Sequence, residues 1–281
     1  MLLVTGSNGS VVLRDELVLG RRELGARFRA LPPRTLGAGE LLASATRSGK
    51  VIFHLVTGWA CRFREFTDGH QVIVDIYLPG DVIGLDAVLR TRTLEEVMTL
   101  TSIAAEVIED GLTDLMTCRS TALYIAWLLG ERQQRSDRFL AAISSLDARG
   151  RLATMLLDFY RRLSRRRLTT GSTYNLPLTQ IQIGAYLGLT VAHVNRVLRS
   201  LRDERIVNIE KHCVTVFDLE HLTGLARNGP LAYSIADLDQ RSLGEPMPAG
   251  GQHTPIKADS NLADTNLAGL RPAVARGVFA A

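Results

Sequence analysis

The sequence predicts an α+β chain in which a small antiparallel β-barrel or jelly roll is followed by a long helix and then by a helix-turn-helix with a β-wing. Three observations carry this expectation. Residues 35–108 fall into short apolar runs divided by turn signals, among them Gly37-Ala38-Gly39, Thr57-Gly58, Asp68-Gly69 and Pro79-Gly80-Asp81, at the regular interval of an all-β roll. Residues 112–143 return to helical spacing, with Leu115, Ala122, Ala126, Leu129, Leu140 and Ile143 at heptad-like intervals interrupted by Arg119, Gln133 and Ser136. Residues 176–207, LPLTQIQIGAYLGLTVAHVNRVLRSLRDERIV, read as two short helices joined by a glycine-containing turn.

Composition limits the alternatives. With 281 residues, 46% hydrophobic and 22% charged, the chain is long enough for two modest domains. No apolar run approaches the roughly 20 residues of a membrane span. The opening MLLVTGSNGS has too short an apolar start and no basic flank for a secretory signal, so a cytoplasmic location is expected. Cys61, Cys118 and Cys213 show no metal-ligand spacing and read as free thiols. The formal charge of +4 is unevenly placed: residues 149–227 hold 13 Lys and Arg against 6 Asp and Glu, a net of +7, which leaves −3 for the remainder. A basic C-terminal part fits a polyanionic partner.

In chain order, residues 1–10 are rich in Gly, Ser and Asn and are expected to be poorly ordered. Residues 11–25 fit a short helix with Leu13, Leu17 and Leu24 on one face, and Leu31-Pro32-Pro33 forbids its continuation. Within the roll, Trp59, Cys61 and Phe63 alternate with Ala60, Arg62 and Arg64. Val72, Val74 and Ile76 alternate in the same way with Ile73, Asp75 and Tyr77, and Asp68-Gly69 marks the hairpin tip between the two strands. Asp147 is the expected N-cap of a helix carrying Leu152, Met155, Leu156, Phe159 and Leu163 on one face, with 144–147 as a hinge before it. The run Arg161, Arg162, Arg165, Arg166 and Arg167 is either a solvated face or a contact for phosphates.

In the helical pair, Thr179 and Gln182 form a capping box that starts the first helix at Gln180, and Gly188 ends it. Thr190 caps a second helix from Val191 to about Arg202. Ile181, Ala185, Leu187, Leu189, Val194, Val197, Leu198 and Leu201 supply the apolar stripe, and Gly184 allows a close crossing. The opposite face carries His193, Asn195, Arg196 and Arg199, donors of suitable reach for base edges and phosphates. Two strands over 206–209 and 214–217 make the wing, Asp218 opens a closing helix, and 228–281 reads as a disordered tail.

LPLTQIQIGAYLGLT with VAHVNRVLRSLRDERIV resembles the DNA-binding half of the Crp-Fnr superfamily of bacterial transcription regulators. HLVTGWACRF and DIYLPGDVIGL resemble its β-roll sensor half, in the expected order, and the resemblance spans about residues 15–226. It implies an N-terminal double-stranded β-helix (a jelly-roll-like β-roll), a long dimerisation helix and a C-terminal winged helix-turn-helix. The boundaries are an N-terminal segment 1–24, the roll 25–111, dimerisation helix and hinge 112–146, reader 147–227 and tail 228–281. A homodimer on an inverted-repeat operator is implied, with RNA polymerase as a further partner and either activation or repression as the outcome. Gln180, Thr190, Val191, His193, Asn195, Arg196 and Arg199 are the expected DNA-binding residues, with Arg202 a further phosphate contact. Arg196 matches the family position that reads a guanine, and Ala192 stands where many members carry a glutamate.

Family members that bind a cyclic nucleotide have Gly-Glu after the Pro-Gly-Asp turn and an arginine some ten residues on. Here Gly84 is followed by Leu85 and Asp86, and the arginine position falls at or near Glu95, with Arg90 and Arg92 as the cations of the same loop. Control by cyclic AMP is therefore not expected, and residues 84–92 remain a candidate effector region for an unknown ligand. No N-terminal cysteine group is present for the iron-sulfur cluster of some members, and no cofactor or metal is expected. Two competing classes are a small-molecule-binding roll that controls a protein partner, and a cupin-like metal enzyme. The latter has only His54 and His70 to draw on in the roll.

Overall fold

The computed structural model describes residues 7–42, 51–69, 71–88, 96–109 and 112–227. Arg90, Arg92, Glu95, His70 and the tail 228–281 lie outside the described residues.

The first element differs from the short helix expected over 11–25. Helix α1 runs Ser7–Arg29, crosses the expected boundary at 24 and stops just before the prolines. Leu17, Leu24 and Phe28 are buried on one face, while Leu13 is exposed. Leu24 and Phe28 share an apolar cluster with Ile52, Leu85, Ile108 and Ile125, and it is this tertiary burial that carries the helix past Gly25, itself buried.

The roll consists of two four-stranded antiparallel sheets. Its strands are β1 Arg34–Leu36, β2 Leu41–Leu42, β3 Val51–Thr57, β4 Ala60–Glu65, β5 Gln71–Tyr77, β6 Val82–Ile83, β7 Glu96–Thr99 and β8 Ile103–Glu109. A short helix, α2, spans Leu85–Val88. The sheet orders are β1-β8-β3-β6 and β2-β7-β4-β5. Between them lie Phe53, Leu55, Tyr77, Ile103 and Val107. Asp68-Gly69 is the tip of the β4–β5 hairpin, with Gly69 N donating to Phe66 O over 2.9 Å. In β5 the inward set is Ile73, Asp75 and Tyr77, with Val74 exposed. A register shift between Arg62 and Phe63 and burial of Ile76 and Leu78 on the second face break the simple alternation.

The long helical segment is divided. Helix α3, Leu112–Thr117, ends at an extended Cys118, and α4 runs Arg119–Ser145. The expected heptad stripe does not form one open seam. Leu115 is buried in the cluster that also receives Leu129, and Ile143 is half-buried, because α4 turns its apolar face to its own roll and to α1. The face left open carries Ala126, Gly130, Gln133, Asp137 and Leu140, the last 65% exposed.

At the hinge, Leu146 N closes α4 on Ala142 O, and Asp147 accepts from Gly150 N to cap α5, Ala148–Arg165. Leu152, Met155, Leu156, Phe159 and Leu163 of α5 are buried, the face its spacing predicted.

Candidate nucleic-acid interface

After α5 the reader continues with β9, Thr173–Asn175, which sequence reasoning missed, followed by α6, Gln180–Leu187, and α7, Val191–Asp203. Each boundary has a local cause. Thr179 Oγ1 accepts from Gln182 N over 3.2 Å while Gln182 Oε1 accepts from Thr179 N over 2.9 Å, so the reciprocal box that starts α6 is complete. Gly188 ends it in the left-handed region at φ 64°, returning its N–H to Gly184 O. A Cβ on Gly184 would lie 2.5 Å from Leu189 O, so the close approach expected there is made to the turn backbone.

The inner face of α7 is sealed by Val194 and Leu201, both fully buried, with Val197 and Leu198 half-buried beside them. In α6 the inward set is Ile183, Tyr186 and Leu187, whereas Ile181 is 37% exposed, a correction to the expected stripe. The capping box fixes where the helix starts. From that start the i, i+3, i+4 set is 183, 186 and 187, and the hydroxyl of Tyr186 disguised it as polar. Tyr186 stacks on Phe139 of α4 at 4.4 Å between ring centroids and on Phe159 of α5 at 6.3 Å.

The expected DNA-facing residues come together on one exposed surface. Gln180 opens α6 in solvent, and Thr190, Val191, Ala192, His193, Asn195, Arg196 and Arg199 are exposed along α7. Thr190 Oγ1 accepts from His193 N over 3.3 Å and lies 3.2 Å from His193 Nδ1, which ties the first turn of the helix together. Arg202 is exposed beside Asp203.

On the flank, Arg149 of α5 donates to Ser200 Oγ over 3.2 Å and to both carboxylate oxygens of Glu204. These bonds, from Arg149 first and Ser200 second, pull the Glu204 carboxyl down to about 2. The pair secures the end of α7 on α5. The wing is β10, Val207–Glu210, against β11, Cys213–Val216, joined through Lys211 and His212 at φ 48° and 63°. Helix α8, Leu219–Leu225, closes the domain behind an Asp218 cap.

The arginine run divides in a way the sequence did not reveal. Arg162 is buried and Arg166 half-buried, and both turn toward Asp81 of the roll, so neither is placed as a phosphate contact. Their signal was the acid of the Pro79-Gly80-Asp81 turn, far away in sequence.

In the candidate effector region, Gly84 adopts φ 96° and Leu85 is 3% exposed, packed in the cluster with Leu24 and Phe28. Asp86 receives both terminal nitrogens of Arg132 over 2.7 and 3.2 Å and Arg62 Nη1 over 3.2 Å. Burial alone would raise its carboxyl, but Arg132 and then Arg62 hold it below the ordinary range. Arg132 also lies 3.4 Å from Asp75 and over the Tyr77 ring. Side chains paired with one another thus occupy the seam between the roll and α4, with Arg62 Nε left buried without a hydrogen-bond partner. His54 pairs with Glu106 at 2.9 Å.

Comparison with known proteins agrees with this arrangement. Residues 150–225 match the model of the Crp-like helix-turn-helix domain. An anaerobic regulatory protein of Pasteurella multocida is 29% identical over 160 residues, which cover 56% of this chain and 58% of that protein. The chain thus spans less than two thirds of that relative's length. A fumarate and nitrate reduction regulatory protein of Yersinia pestis is 27% identical over 192 residues, covering 68% of this chain and 76% of its own. Among solved structures, FixK2 from Bradyrhizobium japonicum superposes with a TM-score of 0.60 at 20% identity, over 69% of this chain and 96% of that one, and shares the fold. The antiparallel roll, long helix and helix-turn-helix thus follow one another as in the Crp-Fnr type regulators that this chain resembles, and residues 150–225 are a Crp-like helix-turn-helix domain.

Proposed function

We propose that two copies of this chain pair along the open seam of α4 and lay their α7 helices into successive major grooves of an inverted-repeat operator. Half-sites about one helical turn apart, roughly 34 to 36 Å, are then required. The observation that carries this reading is the division of α7: Val194 and Leu201 are fully buried beneath it, while His193, Asn195, Arg196 and Arg199 are all exposed on a domain of net charge +7. The exposed Leu140, on a seam that also carries Ala126 and Gly130, supports pairing through α4.

In this reading Arg196 reads guanine O6 and N7 with two donors, and His193 and Asn195 read neighbouring bases. Gln180, Arg199 and Arg202 hold phosphates and set register. Ala192 makes no cytosine contact, so the half-site differs from that of members with a glutamate there. The protein acts in the cytoplasm and meets RNA polymerase at the promoter. Leu85 stands where a cyclic nucleotide would need a glutamate and is buried, and Asp86 beside it is taken by Arg62 and Arg132, which supports control by another signal or by none. Selection of bound fragments from random DNA tests the whole reading: a symmetric repeat bound by two chains is expected, and recovery of asymmetric or unrelated fragments would defeat it.

A further inference from the structure

Asp81 lies in the turn that follows β5, and its carboxylate joins the roll to the reader. Its Oδ2 accepts from Leu78 N over 2.8 Å, which closes the turn, and also receives Arg162 Nη2. Its Oδ1 accepts from Arg166 Nη2 over 2.6 Å. Arg162 donates in addition to Ile76 O over 3.1 Å and to Asp158 Oδ2 over 3.2 Å, and Arg166 Nη1 donates to Pro79 O. The side chains of Arg162 and Asp81 are only 9% and 11% exposed. Beside this cluster Trp59 of the roll meets Phe159 of α5 edge-on at 5.4 Å, and Phe159 stacks on Tyr186 of α6.

A buried ion pair of this kind contributes little net stability over a well-packed apolar contact, but it is directional, and removing one partner leaves an uncompensated charge. Apolar packing alone tolerates a range of angles between roll and reader. Two arginines, one in the last turn of α5 and one at its C-cap, meeting the two oxygens of one carboxylate and the carbonyls of Ile76 in β5 and Pro79 in the turn, tolerate far fewer.

We infer that Asp81, Arg162 and Arg166 form a latch that sets the angle at which α7 is presented to DNA, and so act as positioning residues for operator reading. The inference rests on the paired, inverted-repeat reading above. In a dimer joined through α4, the angle between α4 and the reader determines the distance between the two recognition helices. Each added base pair moves a half-site by about 3.4 Å and about one-tenth of a turn, so a fixed angle selects one spacer.

The test measures the full chain and the variants Asp81→Asn and Arg166→Gln on duplexes whose spacer is the selected length, or one or two base pairs shorter or longer, over a salt series. The wild type prefers one spacer. Both variants lose about 10²-fold on that spacer, as two linked sites do when joint engagement fails, and bind all spacers within a few-fold of one another. For Asp81→Asn the loss runs against simple charge, because removing an acid should strengthen binding to a polyanion. Arg166→Gln, at a half-exposed residue, leaves Arg162 paired and carries the test if Asp81→Asn melts early. On a duplex carrying a single half-site its salt slope stays at the wild-type value, whereas a lost phosphate contact lowers it by about one. A wild-type spacer preference retained in both variants, or a reduced slope in Arg166→Gln on the single half-site, overturns the latch alone. A wild type indifferent to spacing overturns the paired reading and the latch with it.

Discussion

Arg196 follows Asn195 on the exposed face of α7, two positions beyond the buried Val194, so its guanidinium is supported from below and open above. Replacing it with Ala removes about 1 to 3 kcal/mol of discrimination at one base pair of each half-site. Replacing Arg199 instead weakens matched and scrambled duplexes alike and lowers the salt slope by about one. Equal losses of specificity from both variants would contradict these roles. At Asp81 the sign of the pH effect follows from its surroundings. Burial alone would raise the carboxyl, but Arg162 and then Arg166 hold it well below the ordinary value of 3.8. A depressed folded-state pKa means that the latch contributes fully above that ordinary value and is lost only as pH falls through the depressed one. Thermal melts taken downward from neutral pH should therefore show the contribution surviving the range in which free carboxylates titrate. Asp81→Asn should lack that acid limb, and a wild type that loses the contribution near pH 5 would refute the assignment.

At the scale of elements, α7 depends on its two ends. Thr190 satisfies His193 N at the start, and its replacement by Ala costs about 1 kcal/mol of reader stability, while Ser in its place keeps the cap. A melt that does not distinguish Ala from Ser would show that the cap is idle. At the far end Arg149 and then Ser200 depress the Glu204 carboxyl from 4.5 to about 2. This contribution is present above pH 4.5 and disappears as pH falls toward 2. Glu204→Gln should flatten that part of the stability profile, and an unchanged profile would place the anchor elsewhere. Only the first of these end contacts is local enough to have been legible. The capping box, the glycine stop and the Thr190 cap were read from spacing alone, because each joins residues three or four apart. Glu204 was not, because its partner lies 55 residues away.

For the whole molecule, the proposed pairing turns on the open seam of α4. Leu140→Asp should yield a single chain in sedimentation and lose operator binding with its fold intact; a variant that still pairs would move the dimer contact to another surface. By itself the sequence determined the roll, the long helix, the reader and their order, because apolar period, turn residues and caps act within a few residues. It determined as well which face of α7 carries the donors. Tertiary structure alone decided what each helix does with its second face. The stripe expected to pair two chains is in part taken up by α1 and the roll, Ile181 is turned outward and Tyr186 inward, and two arginines that composition assigned to solvent or phosphate close on Asp81. The physical reason is common to these cases. A periodic pattern fixes which residues share a face, but which partner covers that face depends on groups far away in the chain, and a charge reveals its partner only once folding has brought the two within hydrogen-bond reach.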